Sequence, residues 1–281
     1  MREMVGRPWR RWRARRVRRR TGSALAQRGE IGRAVAGALD AFSRPDSSRW
    51  FERIEARRRE LASREDAIPR WGRPWLPDRT ALVPEGAEIA SEPLPVARLV
   101  QASKGPPWCR VLYELVRRLA PRHVVELGTN LGISGCYLAA ALKDSGGGRL
   151  TTLEGSPHKA EIASKSLEVL GLRDGVEIVV GDFADTVDGV VDRLGADIGV
   201  AFIDGFHQRE ATLAFHETFV EAAGRAVLVY DDIRWSSGML EAWRAIRADA
   251  RVNLSVDAHV LGLTHVGYDA SPLHLEWPPP G

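Results

Sequence analysis

Residues 124–139 read VVELGTNLGISGCYLA: four residues of strand-like character, a turn with two glycines, and the start of a helix. A dinucleotide-binding turn is spaced GxGxxG, which lets a helix N-terminus receive a pyrophosphate. Here the turn reads ELGTNLG, and Glu126 beside it would repel a phosphate. Gly128 and Gly132 let the backbone approach a ligand closely and take dihedrals closed to other residues. The stretch therefore favours a ligand with positive charge and no phosphate.

Working outward, short apolar runs alternate with helical segments. HVVEL precedes ISGCYLAAAL, LTTLE precedes HKAEIASKSLEVLG, and VEIVV precedes FADTVDGVVDRLG. IGVAFID then precedes REATLAFHETFVEAAG, and AVLVY precedes GMLEAWRAIRAD. Five such pairs predict an α/β fold, a Rossmann-like, doubly wound and mostly parallel sheet with right-handed crossovers. Two further segments, VNLSVDAHVLGLTHV and LHLEW, have no helix between them and are expected to close the edge as an antiparallel ribbon. The expected sheet has seven strands. Upstream, PPWCRVLYELVRRLAP places Trp108, Val111, Leu112, Leu115, Val116 and Leu119 on one helical face between prolines.

The charge is unevenly spread. Residues 1–20 hold ten of the 40 Lys and Arg residues and one of the 37 acidic ones, so the remainder is net acidic. A block of like charge repels itself, and residues 1–22 are expected to be a basic disordered tail. Trp9 and Trp12 among the arginines leave contact with nucleic acid or an anionic membrane surface open. Residues 23–104 read as a helical arm, with amphipathic helices over 23–40 and 49–61, followed by a lid or linker. Six prolines fall between residues 66 and 95, together with Trp71 and Trp75, and the tryptophans serve equally well to anchor the arm. Residues 105–281 form the main domain. Two cysteines, Cys109 and Cys136, make neither a disulfide framework nor a zinc spacing, and no apolar run is long enough to span a bilayer. A cytoplasmic setting is expected, and self-association is left open.

Ligands of such sheets bind beyond the carboxyl ends of the strands. A carboxylate ends each of the five strands: Glu126, Glu154, Asp182, Asp204 and the Asp231–Asp232 pair. Glu154 stands where a carboxylate accepts both hydroxyls of a ribose, and Asp182 with Phe183 offers an acceptor for an adenine amine beside an apolar face. Together these residues describe a nucleoside with a cationic substituent. The segments ELGTNLGIS, LEGSP, GDF, FIDGFH and DDIRWSSGMLEAW, in that order, resemble those of class I S-adenosylmethionine-dependent methyltransferases, in a bacterial O-methyltransferase-like branch. The resemblance covers roughly residues 96–277. It implies that Glu126, Gly128 and Gly132 surround the methionine moiety, with Thr129, Asn130 and Ser134 on the same turn. It also implies that Glu154, with Gly155 and Ser156, holds the ribose, that Asp182 and Phe183 border the adenine, and that Asp204 meets the cofactor. A Rossmann-like domain without cofactor is the bland alternative.

Asp204, Asp231 and Asp232 should converge beside the sulfonium. Three unpaired carboxylates repel unless a cation or protons intervene, and oxygen-only ligation suits Mg²⁺. By resemblance to catechol-type and sugar O-methyltransferases, such an ion would orient the acceptor hydroxyl. In the metal-free alternative Asp232 caps a helix and Asp204 bonds the cofactor amine. His207, three residues after Asp204, is the candidate general base, with a metal ligand or a plain helix-start residue as alternatives. Trp235 walls the acceptor pocket or packs beneath its loop. Ser134 and Ser236 lack triad partners at any recognisable spacing, and the other histidines carry no assigned role. The expected function is methyl transfer to a hydroxyl of a small molecule. Alternatives are a nucleic-acid methyltransferase using the Arg-rich tail, against which the IDGF turn after the fourth strand weighs, and a noncatalytic cofactor-binding protein.

Overall fold

A computed structural model describes residues 6–44, 48–71, 92–267 and 270–280. Three helices open the chain: α1 (Gly6–Ala26), α2 (Gly29–Ala41) and α3 (Arg49–Ala62). A two-residue ladder, β1 (Ala67–Ile68) with β2 (Leu94–Pro95), leads into α4 (Val96–Gln101) and α5 (Pro106–Leu119). The expected alternation follows as β3 (His123–Leu127), α6 (Ile133–Asp144), β4 (Arg149–Glu154), α7 (Pro157–Leu170), β5 (Val176–Val180) and α8 (Phe183–Leu194). It continues through β6 (Ile198–Ile203), α9 (Arg209–Ala222), β7 (Ala226–Tyr230) and α10 (Ser237–Ala248), and ends in β8 (Val252–Ala258), β9 (Leu261–Val266) and β10 (Leu273–Glu276).

The main sheet runs β10-β8-β9-β7-β6-β3-β4-β5. Strands β3 to β7 are parallel, and β9 is antiparallel to both β7 and β8. Side chains alternate across the pleat into two cores. Val124, Val200, Phe202 and Val229 face the layer that holds α5 and α6, whereas Val125, Ala201, Ile203 and Leu228 face the layer of α8 and α9. The order reverses at β3, whose neighbours are β4 and β6, so the crevice for a ligand opens above those three strand ends.

Three expectations are corrected. The sheet has eight strands, because Leu273–Glu276 pairs in parallel with β8 instead of joining an antiparallel ribbon, and this covers an otherwise open edge. The helix expected over 23–40 breaks at residues 27–28, and α2 begins at Gly29, whose φ of 68° ordinary side chains avoid. Residues 6–22, expected to be disordered, lie in α1; residues 1–5 and most of the proline-rich lid (72–91) lie outside the described residues. Charge repulsion is overcome at the end of α1 because Thr21 and Leu25 are buried there. The Thr21 hydroxyl donates to the Glu276 carbonyl at 2.6 Å, and the Arg18 guanidinium donates to the Pro278 carbonyl at 3.0 Å. The helical arm shares its core with the sheet: Val35, Leu39, Trp50 and Ile54 pack with α5 and α6.

Trp277 pins the chain's two ends together. Its ring meets Phe42 edge-on at 5.7 Å and Trp108 at 6.3 Å, and Phe42 meets Trp108 at 4.6 Å. Trp277→Ala is expected to cost about 3–4 kcal/mol in a urea titration monitored by circular dichroism, the range for truncating a buried aromatic. A loss below about 1 kcal/mol would mean that β10 and α1 are not docked as described.

Candidate active site

The turn after β3 is shaped by close approach. Gly128 has φ +100°, and a Cβ there would lie 2.1 Å from the carbonyl oxygen of Asp204 at the end of β6. Asn130 has φ 47° and Gly132 φ 79°; a Cβ on Gly132 would meet Ala163 of α7 at 2.9 Å. The turn is thus held between the neighbouring strand and helix. Asn130 also donates through Nδ2 to the Leu99 carbonyl at 3.1 Å and to the Ser103 hydroxyl at 3.2 Å, tying the turn to α4 and the loop after it.

Glu154 is nearly fully buried at the end of β4. Its Oε2 accepts from the Asn130 backbone N–H at 2.8 Å and its Oε1 from the Ser156 N–H at 3.0 Å. Lys159 Nζ stands 3.7 Å away. A carboxylate held by two main-chain donors is rigid, and each oxygen keeps a lone pair for a ligand hydroxyl. Opposite it, Phe183 packs against Gly205, where a Cβ would come within 2.4 Å of the Phe183 ring. Asp182 caps α8, its Oδ1 accepting from the Ala184 N–H at 3.0 Å.

These residues border a cleft of about 380 Å³. Of the residues expected to bind cofactor, Gly128, Thr129, Asn130, Ser134, Glu154, Gly155, Asp182, Phe183 and Asp204 line it. Glu126, Gly132 and Ser156 lie behind the wall. Ser156 caps α7, accepting at its hydroxyl from the Lys159 N–H at 3.4 Å. Glu126 is wholly buried; its Oε2 accepts from Thr152 Oγ1 at 2.7 Å, and its Oε1 has no partner. Burial drives its carboxyl up to about 7 despite hydrogen bonds from Ser134 and Thr152, and the charges of Asp204 and Glu154 push the same way.

The other end of the cleft holds His207 beside Asp204, with Nε2 3.1 Å from Oδ1. That nitrogen is buried and, despite the short distance, makes no hydrogen bond. Phe206 and His207 both have left-handed φ values, 61° and 38°. Such backbone strain is commonest at functional sites. The Trp235 ring lies 6.4 Å from that of His207 and is 72 % exposed, so it stands at the rim and does not pack beneath the loop.

Sequence reasoning missed Lys104. Its ammonium, about one-tenth exposed, lies 2.5 Å from Asp231 Oδ2 and 3.2 Å from Asp232 Oδ1. Burial opposes the charge, but attraction first to Asp231 and then to Asp204 and Asp232 holds the Lys104 pKa above its ordinary value. Burial, then repulsion from Asp204, pushes the Asp231 carboxyl well above the usual carboxylate range. One signal was legible in the sequence: the chain has 36 arginines and four lysines, and Lys104 is the first of the four.

The three-aspartate metal set is not assembled as expected. One ligand atom each from Asp204, His207 and Asp231 lies within 4.8 Å of the others, whereas Asp232 turns to Lys104. A divalent ion drawing on Asp231 and Asp232 would share their oxygens with the ammonium. At a separation on the order of 4 Å and an effective dielectric of about 20, the two cations repel by about 8 kcal/mol. The donors as placed do not fit Mg²⁺ at those aspartates.

Residues 125–233 match a family described as a methyltransferase domain. Over 156 residues the chain is 33% identical to a catechol O-methyltransferase of Mycobacterium tuberculosis, covering 55% of this chain and 66% of that one. It is 31% identical over 115 residues to a catechol O-methyltransferase of Niastella koreensis, covering 41% and 51%. The chain therefore spans less than two thirds of these relatives' length. An O-methyltransferase from Bacillus cereus solved in complex with SAH shares the fold, with a TM-score of 0.51 at 24% identity over 60% of this chain and 88% of that one. Among the described residues, no helix is long and apolar enough to cross a membrane.

Glu126 makes the domain's stability depend on pH. Its folded pKa of about 7 exceeds the unfolded value, so its contribution is complete below about pH 4.5 and is lost as pH rises through 7. The loss at alkaline pH is of the order of 3 kcal/mol. Glu126→Gln should remove that slope, melting above the wild type at pH 8 and level with it at pH 5. Parallel slopes in the two proteins would show that Glu126 ionises freely.

Proposed function

We propose that the chain is an S-adenosylmethionine-dependent O-methyltransferase acting on a hydroxyl of a small molecule. The observation that carries this reading is the unpartnered, buried His207 Nε2 in the same cleft as the fixed Glu154 carboxylate. Glu154 receives the ribose hydroxyls, Phe183 and Asp182 border the adenine, and the turn at Gly128 accommodates the methionine portion. The names of the catechol O-methyltransferase relatives and the SAH in the Bacillus cereus structure point the same way.

The chemistry asks little beyond alignment. The acceptor hydroxyl gives its proton to His207 Nε2 as an oxygen lone pair bonds to the methyl carbon. The carbon–sulfur bond breaks and its electron pair stays on sulfur, converting the sulfonium to a neutral thioether. Asp204, beside the imidazole, stabilises the imidazolium that forms. The proton then passes to solvent. Trp235 at the rim supplies a flat apolar surface for the acceptor.

Titration calorimetry with S-adenosylhomocysteine is expected to show one site per chain. Glu154→Ala should weaken it by at least about 30-fold, since a charged hydrogen-bonding group contributes about 2 kcal/mol. His207→Ala should keep cofactor affinity within about twofold and lower turnover of labelled methyl to an acceptor about 10²- to 10³-fold. Absence of binding by the wild type would reject the cofactor, and full turnover by His207→Ala would reject the base.

A further inference from the structure

We propose that Lys104 is the resident cation of the acceptor end of the cleft, so that the chain works without a divalent metal ion. The inference rests on the methyltransferase reading above. Three carboxylates crowd the ends of β6 and β7, and an uncompensated cluster of that kind does not stay ionised. Lys104 compensates it from outside the sheet. The loop after α4 places it on the cleft wall, and the Asn130 side chain fastens α4 at Leu99 and that loop at Ser103. The ammonium spans Asp231 and Asp232, joining the two adjacent carboxylates that a bound metal ion would need.

Two consequences follow from this placement. Asp231 Oδ2 is taken by the lysine, while Asp231 Oδ1 is buried and unpartnered, as is the neighbouring His207 Nε2. Of the two, His207 is on the cleft wall and takes the acceptor's proton, with Lys104 on the same wall to attract the oxygen as that proton leaves. In addition, the ammonium brings one positive charge where a divalent ion brings two. The cleft therefore stays net negative, which suits a cationic sulfonium.

The test is Mn²⁺ binding by the full chain, read from the electron paramagnetic resonance signal of free Mn²⁺, with S-adenosylhomocysteine calorimetry on the same preparation. The wild type and Lys104→Arg should take up no stoichiometric Mn²⁺. Lys104→Met, by unmasking the carboxylates, should bind one Mn²⁺ per chain at least about tenfold more tightly, and Asp231→Asn in that background should abolish the binding. One Mn²⁺ per wild-type chain, lost on Asp231→Asn, would overturn the proposal. So would a folded Lys104→Met that binds Mn²⁺ no better than the wild type. Should Lys104→Met not fold, the wild-type titration decides alone: uptake refutes and no uptake supports. Failure of S-adenosylhomocysteine to bind would count against the methyltransferase reading and leave the Mn²⁺ result to score Lys104 separately.

Discussion

The structure depends on placing negative charge at the ends of adjacent parallel strands without letting it tear the site open. Glu126, Glu154, Asp204, Asp231 and Asp232 all stand at one end of β3, β4, β6 and β7. Each is managed by a different device. Glu154 is held by two main-chain N–H groups, Glu126 is buried so deeply that its proton is retained to about pH 7, and Asp231 with Asp232 grips an ammonium. Asp204 stands beside an imidazole. The cleft that results is acidic but not self-repelling, which is the electrostatic setting a sulfonium nucleoside needs.

The N-terminal arm contributes to that setting. Its helices share a core with the sheet, and the chain returns through α4 so that the 102–104 loop forms one wall of the cleft. Trp71, from the same arm, lies over Gly155, where a Cβ would come within 2.9 Å of the indole. Arm and sheet thus jointly wall the cleft.

Much of this was legible in the sequence, because strand-end residues are fixed by local pattern. The alternation of apolar runs with amphipathic segments gave the sheet, and the carboxylates at run ends gave most of the cleft wall. What was not legible depended on contacts between distant segments. The helical state of residues 6–22 requires Thr21 and Arg18 to meet residues 276 and 278 near the far end of the chain. The eighth strand requires β8 as a partner. Glu126 shares the motif but is turned under the turn by Thr152, a residue 26 positions away. Lys104 carries no motif at all; its role comes from a loop brought against Asp231, more than 100 residues later in the chain.

Diffraction from crystals of the full chain grown with S-adenosylhomocysteine and saturating Mg²⁺ would show directly which cation the strand-end carboxylates hold. Density is expected for ribose hydroxyls on Glu154, the thioether sulfur near Asp204, and the Lys104 ammonium still bridging Asp231 and Asp232. A nucleoside seated elsewhere, or an octahedral ion among the aspartates with Lys104 displaced, would contradict it.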